Sequence, residues 1–311
     1  MYYKQIFKLL QVCSCKNMSL NYIQTIEELN NPTVRIKNKE NVNNIIANII
    51  SAGKDKLQVI SDFDRTLTKQ HENGKLHISS FGLFCRCPSI SQKYLQCAKG
   101  LSKKYYPIEV DPTVPHDEKK VIMKQWWSEI NEVIKGETVS NKEIAETTIK
   151  EGPALRDGTV KLFDDLNKAN IPVLVFSAGL GDSVLTILKH CNILHSNVKV
   201  FSNFLYYNED GVIQGFKNYP LIHVLNKNEF AIKDVKYLNF IKERSNVLLM
   251  GDSPGDSGMA DGVHHAENIL KIGFLYDNLE ENLSTFMDAF DIVLVDDQTM
   301  EIPQAILNKL F

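Results

Sequence analysis

Two carboxylates, Asp62 and Asp64, lie two residues apart in the segment VISDFDRTLT (59–68), directly after a short apolar run. If that run is a β-strand, both side chains start on the same face, because side chains alternate along a strand. Buried carboxylates without partners are very costly, so packing explains the pair poorly. One carboxylate could attack a phosphorus atom while the other protonates a leaving group, or the pair could hold a cation. A plain Asx-turn is the alternative for this pair taken alone.

A second acidic motif, GDSPGD (251–256), follows the apolar run NVLLM (246–250). Gly251 lets the backbone turn, and Asp252 and Asp256 offer hard oxygen ligands of the kind that suits Mg²⁺. In isolation the motif could be a Gly-Asp turn. Together with Asp62 and Asp64, it favours a metal-dependent site.

Two further segments carry groups that could bind phosphate. The run VLVF (173–176) ends in Ser177, Ala178 and Gly179, which offer a hydroxyl and unobstructed backbone N–H groups ahead of a predicted helix. Taken alone, this triplet is better explained as a routine strand-to-helix turn. Lys227 lies in the segment HVLNKNE, and a single loop lysine is usually solvated, so its candidacy depends on the other motifs.

These candidates need a scaffold, and the sequence indicates one in which short β-branched apolar runs alternate with segments of helical period. Such alternation is typical of βαβ units, so it predicts an α/β fold with a parallel sheet. Segments 160–168 and 184–190 are predicted helices, with Asp157 and either Asp182 or Ser183 as N-caps. The predicted strands are 57–60, 171–176, 198–201, 246–250 and 291–295.

The segment from about Lys75 to Glu151 interrupts this alternation, because it contains helical patterns and no convincing strand. Ser140 and Glu143 have the spacing of a capping box. An insert between the first two sheet strands would lie over their carboxyl ends, where open α/β sheets bind ligands. The predicted helices of the insert are 91–106, 117–135 and 141–150.

The composition excludes several classes of protein. With 311 residues, 43% of them hydrophobic, and a net charge of -3, the chain is neither disordered nor collagen-like, and it lacks a global basic field for nucleic acid. Its six cysteines are sparse, which favours reduced thiols in a cytosol over a disulfide framework. The CxC pairs at 13–15 and 85–87 have no second pair nearby to complete a zinc site.

The apolar run at 6–12 is too short to cross a bilayer, which needs about 20 residues, and it lacks the flanks of a signal peptide. We expect residues 1–20 to be a poorly ordered extension, with Met18 as an alternative start.

In chain order, DFDRTLT (62–68), Ser177, Lys227 and GDSPGD resemble the four motifs of the haloacid dehalogenase (HAD) superfamily. The chain from about residue 33 onward resembles the cytosolic 5'-nucleotidase III family more closely, including its 7-methylguanosine phosphate-specific branch. Further segments that carry this resemblance are YYPIEVDP (105–112), FSAGLGD (176–182), NEDGVIQGFK (208–217) and LLMGDSPGDSGMADGV (248–263). The resemblance implies a Rossmann-like HAD core, 21–75 and 152–311, with a helical cap at 76–151.

The resemblance also implies roles for the acidic residues. Asp62 would be the nucleophile that forms an aspartyl-phosphate, and Asp64 the acid that protonates the departing 5'-oxygen and then activates water. Mg²⁺ would be held by Asp62, the backbone carbonyl of Asp64 and Asp252. Asp256 would support this site by orienting the metal's waters or the Lys227 ammonium.

The phosphoryl oxygens would be bound by Ser177, Ala178, Gly179 and Lys227. One departure from the family pattern is Arg65, which stands where relatives usually carry Met. No carboxylate is lost by this change, so we expect activity to survive.

Base recognition is implied to come from the cap. Glu109 matches the family position that hydrogen-bonds the nucleobase. Trp127 lies where the methylguanosine branch resembles WW, and an indole face attracts a cationic 7-methylguanine. Phe81 would supply the opposite wall. Trp126 would belong to the cap core, because adjacent helical residues cannot both face one site.

The resemblance therefore implies a Mg²⁺-dependent 5'-nucleotidase that acts on 7-methyl-GMP and on pyrimidine nucleotides such as CMP and UMP. Two alternatives remain at this point: a catalytically silent nucleotide-binding protein and a HAD phosphatase that acts on a non-nucleotide phosphate. The expected partner is a nucleoside monophosphate, with no nucleic acid polymer and no membrane. We expect a cytoplasmic monomer.

Overall fold

The computed structural model describes residues 20–111, 113–217, 221–227 and 235–311. Residues 1–19, on which the expected extension and the Met18 start fall, lie outside this range. The strands are β1 (Val34–Arg35), β2 (Leu57–Ser61), β3 (His71–Glu72), β4 (Lys75–Leu76), β5 (Val173–Leu180), β6 (Val198–Asn203), β7 (Leu205–Tyr207), β8 (Ile213–Phe216), β9 (Asn246–Gly251), β10 (Asn268–Leu275) and β11 (Ile292–Val295). The helices are α1 (Tyr22–Thr25), α2 (Lys39–Ala52), α3 (Gln92–Val110), α4 (His116–Val133), α5 (Asn141–Glu151), α6 (Thr159–Lys168), α7 (Gly181–His190), α8 (Val235–Ile241), α9 (Leu279–Ala289) and α10 (Glu301–Leu307).

Seven strands form one sheet in the order β1-β11-β10-β9-β2-β5-β6. All neighbours pair in parallel except β1, which lies antiparallel to β11 at the edge. The α/β prediction is confirmed, and all five predicted strands are present. The strand β10 is absent from the predicted strands, because Lys271 and Gly273 interrupt its apolar run. Its neighbours β9 and β11 nevertheless bury it, as a central strand of a parallel sheet is buried.

Helices cover both faces of this sheet. One apolar cluster joins β2, β5 and β9 to Ile46 of α2 and Phe163 of α6. A second apolar cluster, on the opposite face, contains Tyr237 of α8 and Phe286 of α9. Covered on both sides, β2 and β9 are buried along their whole length. This three-layer arrangement explains why these strands read as continuous apolar runs rather than as alternating ones.

The insert contains the three predicted helices, α3, α4 and α5. The helix α3 continues past the predicted end at Tyr106, through Pro107, to Val110. A proline this close to the end costs only one intrahelical hydrogen bond, and α4 packs along α3. The extra turn places Glu109 on the helix.

A third apolar cluster joins the insert to the antiparallel ribbon of β7 and β8. It contains Tyr94 of α3, Ile134 after α4 and Ile144 of α5, together with Leu205 and Ile213 of the ribbon. The ribbon follows the sheet strand β6 directly, so it links the sheet to the insert.

The helix caps differ from the predictions in three places. Helix α6 begins after Gly158 without a side-chain cap, and the Asp157 carboxylate lies 2.7 Å from the Lys69 ammonium instead. Helix α7 begins at Gly181, also without a side-chain cap, because the predicted cap Asp182 lies inside it and accepts a hydrogen bond from Leu205 N–H at 3.0 Å.

Ser183, the other candidate cap of α7, also lies within the helix, where its hydroxyl accepts a hydrogen bond from Thr148. Ser140 does cap α5 by accepting from Glu143 N–H. A capping box would also have the Glu143 carboxylate accept from the Ser140 N–H. This part of the prediction is wrong, since the carboxylate accepts from the Ser89 N–H and hydroxyl instead. A long-range partner replaces the local one at both Asp182 and Glu143. None of the described helices combines the length and the apolar character that a membrane-spanning helix needs.

Candidate active site

The two acidic motifs meet because they follow neighbouring parallel strands. Ser61 of β2 pairs with Met250 of β9, and the Asp62 N–H continues this ladder by donating to Met250 O at 3.0 Å. Asp62 and Asp252 therefore leave the same edge of the sheet side by side. Strand register, rather than loop conformation, sets their approach.

Three carboxylates form a compact cluster at this edge. One oxygen from each of Asp62, Asp252 and Asp256 lies within 4.8 Å of the others. Burial is the main cause that raises the pKa of all three carboxyls, and that of Asp256 reaches about 6. For Asp252, the charges of Asp62 and Asp256 raise the pKa further. The cluster therefore places three carboxyls close together where burial opposes the ionisation of each.

Lys227 is the principal cation of this cluster. Its ammonium donates to Asp62 Oδ1 and, at 2.8 Å, to Asp256 Oδ1, and its side chain is only 4% exposed. Burial alone would lower the pKa of Lys227, but the carboxylates of Asp256 and Asp62 outweigh this effect and raise it. The loop lysine that sequence alone would leave in solvent is therefore a buried, charged member of the site.

The donor set fits a divalent cation. Carboxylate oxygens are the ligands that Mg²⁺ prefers, and Asp62, Asp252 and Asp256 offer one oxygen each within 4.8 Å of one another. The Asp256 carboxylate is occupied on both oxygens, because it accepts from Lys227 and from the Ser253 N–H at 3.0 Å. Asp62 and Asp252 are thus the better placed side-chain ligands, and Asp256 is held as a supporting group.

Asp64 has different partners. Both of its oxygens accept hydrogen bonds from Ser80, Oδ1 from the backbone N–H and Oδ2 from the hydroxyl, each at 2.6 Å. Burial raises the pKa of the Asp64 carboxyl, and the two bonds from Ser80 oppose this shift. The two carboxyls of the DxD pair therefore lie in distinct environments.

Ser177, Ala178 and Gly179 lie in a bulge of β5 and not in a simple turn before α7. Phe176 pairs with Phe201 and Leu180 with Asn203, so four steps along β5 match two along β6. The extra residues leave the ladder, as in a β-bulge. The Ser177 hydroxyl accepts from Gly179 N–H at 2.9 Å. Asn203, which is not among the predicted site residues, fixes the bulge by donating to Ala178 O at 3.0 Å.

Arg156 supports the loop that follows the nucleophile candidate. The residue is 1% exposed, and its guanidinium donates to the carbonyls of Thr66, Arg65 and Asp297. Burial lowers its pKa to about 10, so it stays charged at neutral pH. Arg65 itself adopts a positive φ of 60°, which is unusual for a residue with a side chain. Arg156 thus holds a strained turn, a role with no signal in the local sequence.

The base-site candidates lie on the insert. Phe81 and Trp127 meet edge to face with ring centroids 5.5 Å apart, and Phe216 of β8 lies 6.4 Å from Phe81. Trp126 instead stacks on Tyr105 at 5.6 Å, so the two tryptophans point to different neighbours. Burial raises the pKa of Glu109 to about 6, opposed by Lys119, Lys227 and Arg65. Lys227 and Arg65 lie at the edge of the sheet that carries the acidic cluster, so the end of α3 lies toward that edge.

Comparisons with known proteins agree with this geometry. The profile of the family "pyrimidine 5'-nucleotidase (UMPH-1)" matches residues 65–311. The chain is 43% identical over 290 residues to the 7-methylguanosine phosphate-specific 5'-nucleotidase of Drosophila melanogaster, covering 93% of this chain and 90% of the relative. It is 37% identical over 287 residues to the human protein of the same name, covering 92% and 95%.

Among solved structures, the chain superposes on cytosolic 5'-nucleotidase IIIB bound to cytidine with a TM-score of 0.86 and 41% identity, covering 93% of this chain and 96% of that one. This match extends over the sheet and the helical insert together, and it confirms the Rossmann-like core with a helical cap that the sequence resemblance implied. The chain therefore belongs to the pyrimidine 5'-nucleotidase (UMPH-1) family.

Proposed function

We infer that this protein hydrolyses nucleoside 5'-monophosphates to nucleoside and phosphate. The observation that carries this conclusion is the buried cluster at the carboxyl edge of the sheet, in which Asp62 contacts Lys227 beside Asp252 and Asp256. A silent binding module would not need a nucleophile and an acid held by separate partners. The membership of a 5'-nucleotidase family supports the same conclusion.

In the proposed reaction, Asp62 attacks the phosphorus atom and forms an aspartyl-phosphate while the bond to the 5'-oxygen breaks. Asp64 donates its proton to that oxygen. In the second half, Asp64 takes a proton from the water that attacks the phosphorus, and Asp62 leaves. Phosphoryl transfer depends mainly on positioning and charge compensation, which a buried and hydrogen-bonded constellation provides.

The phosphoryl group would be bound by Lys227, by the Ser177 hydroxyl and by the backbone N–H groups of Ala178 and Gly179. The ammonium of Lys227 supplies a compact positive charge for the phosphoryl oxygens. The bulge in β5 takes Ser177 out of the strand ladder, and its hydroxyl, which accepts from Gly179 N–H, would donate its own proton to a phosphoryl oxygen.

Mg²⁺ would be held by Asp62, Asp252 and the backbone carbonyl of Asp64, and it would supply charge stabilisation for the phosphoryl oxygens. Asp256 would hold Lys227 in place. The close approach of the Asp62, Asp252 and Asp256 carboxylates supports this proposal, since one oxygen from each lies within 4.8 Å of the others.

For the base, we propose that the protein accepts both 7-methyl-GMP and pyrimidine nucleotides such as CMP and UMP. The names of the curated relatives point to 7-methylguanosine phosphate, whereas the family profile and the cytidine-bound structure point to pyrimidines. Glu109 would accept hydrogen bonds from the base, and Trp127 and Phe81 would pack against it. The contact between these two aromatic rings supports their assignment to one site.

We propose further that residues 76–151 form the cap domain, that residues 21–75 and 152–311 form the catalytic core, and that the protein acts as a cytoplasmic monomer. An apolar cluster that joins α3 to α5 supports the grouping of these helices in one cap, and the β7–β8 ribbon of the core packs against the same cluster. The cytosolic names of two relatives support the compartment.

The test is a phosphate-release assay on CMP, UMP, 7-methyl-GMP, GMP and phosphoserine, with Mg²⁺ and after chelation. We expect release from CMP, UMP and 7-methyl-GMP, only with the metal, and little from phosphoserine. Asp252→Asn should lose the response to Mg²⁺, and the exposed Asp288→Asn should retain it. Release from phosphoserine at the rate seen with nucleotides would contradict the nucleotide assignment, and full activity after chelation would contradict the metal.

A further inference from the structure

Ser80 is the sole described partner of the Asp64 side chain through hydrogen bonds, although the two residues lie 16 positions apart. Its backbone N–H and hydroxyl each donate to a different oxygen of the carboxylate, both at 2.6 Å. The residue is 0% exposed. A carboxylate bound on both oxygens by one residue cannot rotate about its terminal bond without breaking both hydrogen bonds.

The Ser80 hydroxyl lies directly against the β5 bulge. A Cβ atom added to Gly179 would overlap the Ser80 Oγ and would lie 2.7 Å from Asp64 Oδ2 and 3.0 Å from Ser177 Oγ. Three segments distant in sequence therefore meet at this point. They are the turn after β2 that carries Asp64, the start of the insert at Ser80, and the β5 bulge that carries Ser177 and Gly179. The missing side chain of Gly179 makes room for the hydroxyl of Ser80.

Ser80 also lies next to the base-site candidates. It immediately precedes Phe81, which contacts Trp127, and the short 3-10 helix Gly82–Arg86. One turn of the chain thus bonds to the proposed acid and carries one wall of the proposed base site. The same short stretch of backbone would therefore position both the base and the Asp64 carboxyl.

We propose that Ser80 is a positioning residue that orients the Asp64 carboxyl for proton transfer to the 5'-oxygen. The proposal rests on the function inferred above, in which the Asp64 proton moves to that oxygen as its bond to phosphorus breaks and the bond from Asp62 forms. Without the hydroxyl of Ser80, Asp64 Oδ2 loses its donor and the carboxyl turns more freely. A misplacement of about 1 Å at such a group can cost about a hundredfold in rate.

The test compares two leaving groups on Ser80→Ala. One substrate is CMP, and the other is the CMP analogue in which sulfur replaces the bridging 5'-oxygen, because a thiolate leaves without needing a proton from Asp64. We expect the single-turnover rate of cytidine release from CMP to fall about 10- to 100-fold with KM within about twofold, and the rate of 5'-thiocytidine release from the thio analogue to fall far less. Release of the leaving group is measured because Asp64 also activates water in the second half of the reaction, which is the same for both substrates. Ser79→Ala is the matched control, since the Ser79 hydroxyl bonds to Gly82 N–H and not to Asp64.

Equal losses on the two substrates, or a loss confined to KM, would show that Ser80 is only structural and would overturn the proposal. Urea unfolding of each variant identifies a folding defect, and Ser80→Gly, which keeps the backbone bond to Asp64, provides a second variant with the same expected dependence on the leaving group. A wild-type protein that releases no phosphate from any nucleotide would instead contradict the proposed function itself, so the two failures are distinguishable.

Discussion

Asp62 and Asp64 lie two residues apart, yet the structure gives them different partners. Asp62 contacts the Lys227 ammonium, whereas Asp64 is held by the neutral Ser80. Burial raises the pKa of both carboxyls; the Lys227 ammonium opposes this rise at Asp62, whereas neutral donors of Ser80 oppose it at Asp64. Pairs of acids in such contrasting environments are typical of divided acid and nucleophile roles.

At Asp62, the substitution Asp62→Asn should abolish turnover, because an amide is not a nucleophile for phosphorus. Phosphate release from CMP measures this loss. The wild type should bind beryllofluoride, which mimics an acyl-phosphate, and the variant should not. Ordinary turnover in Asp62→Asn would end the covalent mechanism.

At Trp127, the substitution Trp127→Tyr should lower the efficiency on 7-methyl-GMP relative to CMP. A cationic base gains roughly 0.5 to 2 kcal/mol from an aromatic face, and more from an indole than from a phenol. This difference limits the change in the ratio to about thirtyfold. Trp126→Tyr is the control, because Trp126 stacks on Tyr105, and it should change stability and not the ratio.

At the scale of secondary structure, the β7–β8 ribbon is anchored to the insert through Asn131 of α4. Its side-chain oxygen accepts from the Phe216 N–H at 3.1 Å, and the backbones of Gly136 and Glu137 also bond to Ile213. Gly215 makes this approach possible, since its φ is +114° and a Cβ there would lie 2.6 Å from Asn131 Oδ1.

We therefore expect Gly215→Ala to destabilise the protein by about 2 kcal/mol or more, through both strain and crowding. Gly211→Ala is the matched control, because its φ is also positive, at +77°, but nothing lies within 4 Å of the added atom. It should cost only about 1 kcal/mol. Urea unfolding measures both. Equal losses in the free energy of unfolding of the two variants would show that the Asn131 side chain moves away from the new methyl group.

The turn after β2 depends in the same way on Arg156. Arg156→Met should reduce the free energy of unfolding by about 3 kcal/mol or more, because it leaves buried carbonyls of Arg65 and Thr66 without a donor. It should also lower kcat, since this turn holds Asp62 and Asp64. Arg86→Met, at an exposed arginine, is the control. An unchanged kcat in a folded Arg156→Met protein would contradict the inference that Arg156 holds this turn in place.

At the scale of the whole molecule, the segment 221–227 lies between core and insert. Burial lowers the pKa of His223 to about 4, and the charges of Lys120 and Lys124 on α4 act in the same direction. His223 precedes Lys227 by four residues, so the segment that delivers the cation of the site also packs near α4.

This shift predicts how stability depends on pH. An unfolded histidine titrates near about 6.5, so between pH 6.5 and 4 the unfolded chain binds the proton that the folded chain rejects. The contribution of neutral His223 is therefore present above pH 6.5 and is lost as the pH falls toward 4. Urea unfolding at pH 7.5 and 5.5 should show a smaller difference in His223→Gln than in the wild type. The exposed His116→Gln should behave as the wild type, and an unchanged difference in His223→Gln would refute the role of His223.

The sequence by itself determined the α/β class, five strands of the sheet and the helices of the insert, because apolar periodicity and β-branched runs are local properties of the chain. It also located the acidic motifs, since each directly follows an apolar run.

Only the tertiary structure decided the partners of these groups. Lys227 lies 165 residues from Asp62, and Arg156 lies 90 residues from Thr66. Asp182 and Glu143, expected to cap their helices, bind distant backbone groups instead. The physical reason is that a buried charge or carbonyl is satisfied by whichever group the strand register and helix packing bring near it, and no local pattern encodes that choice.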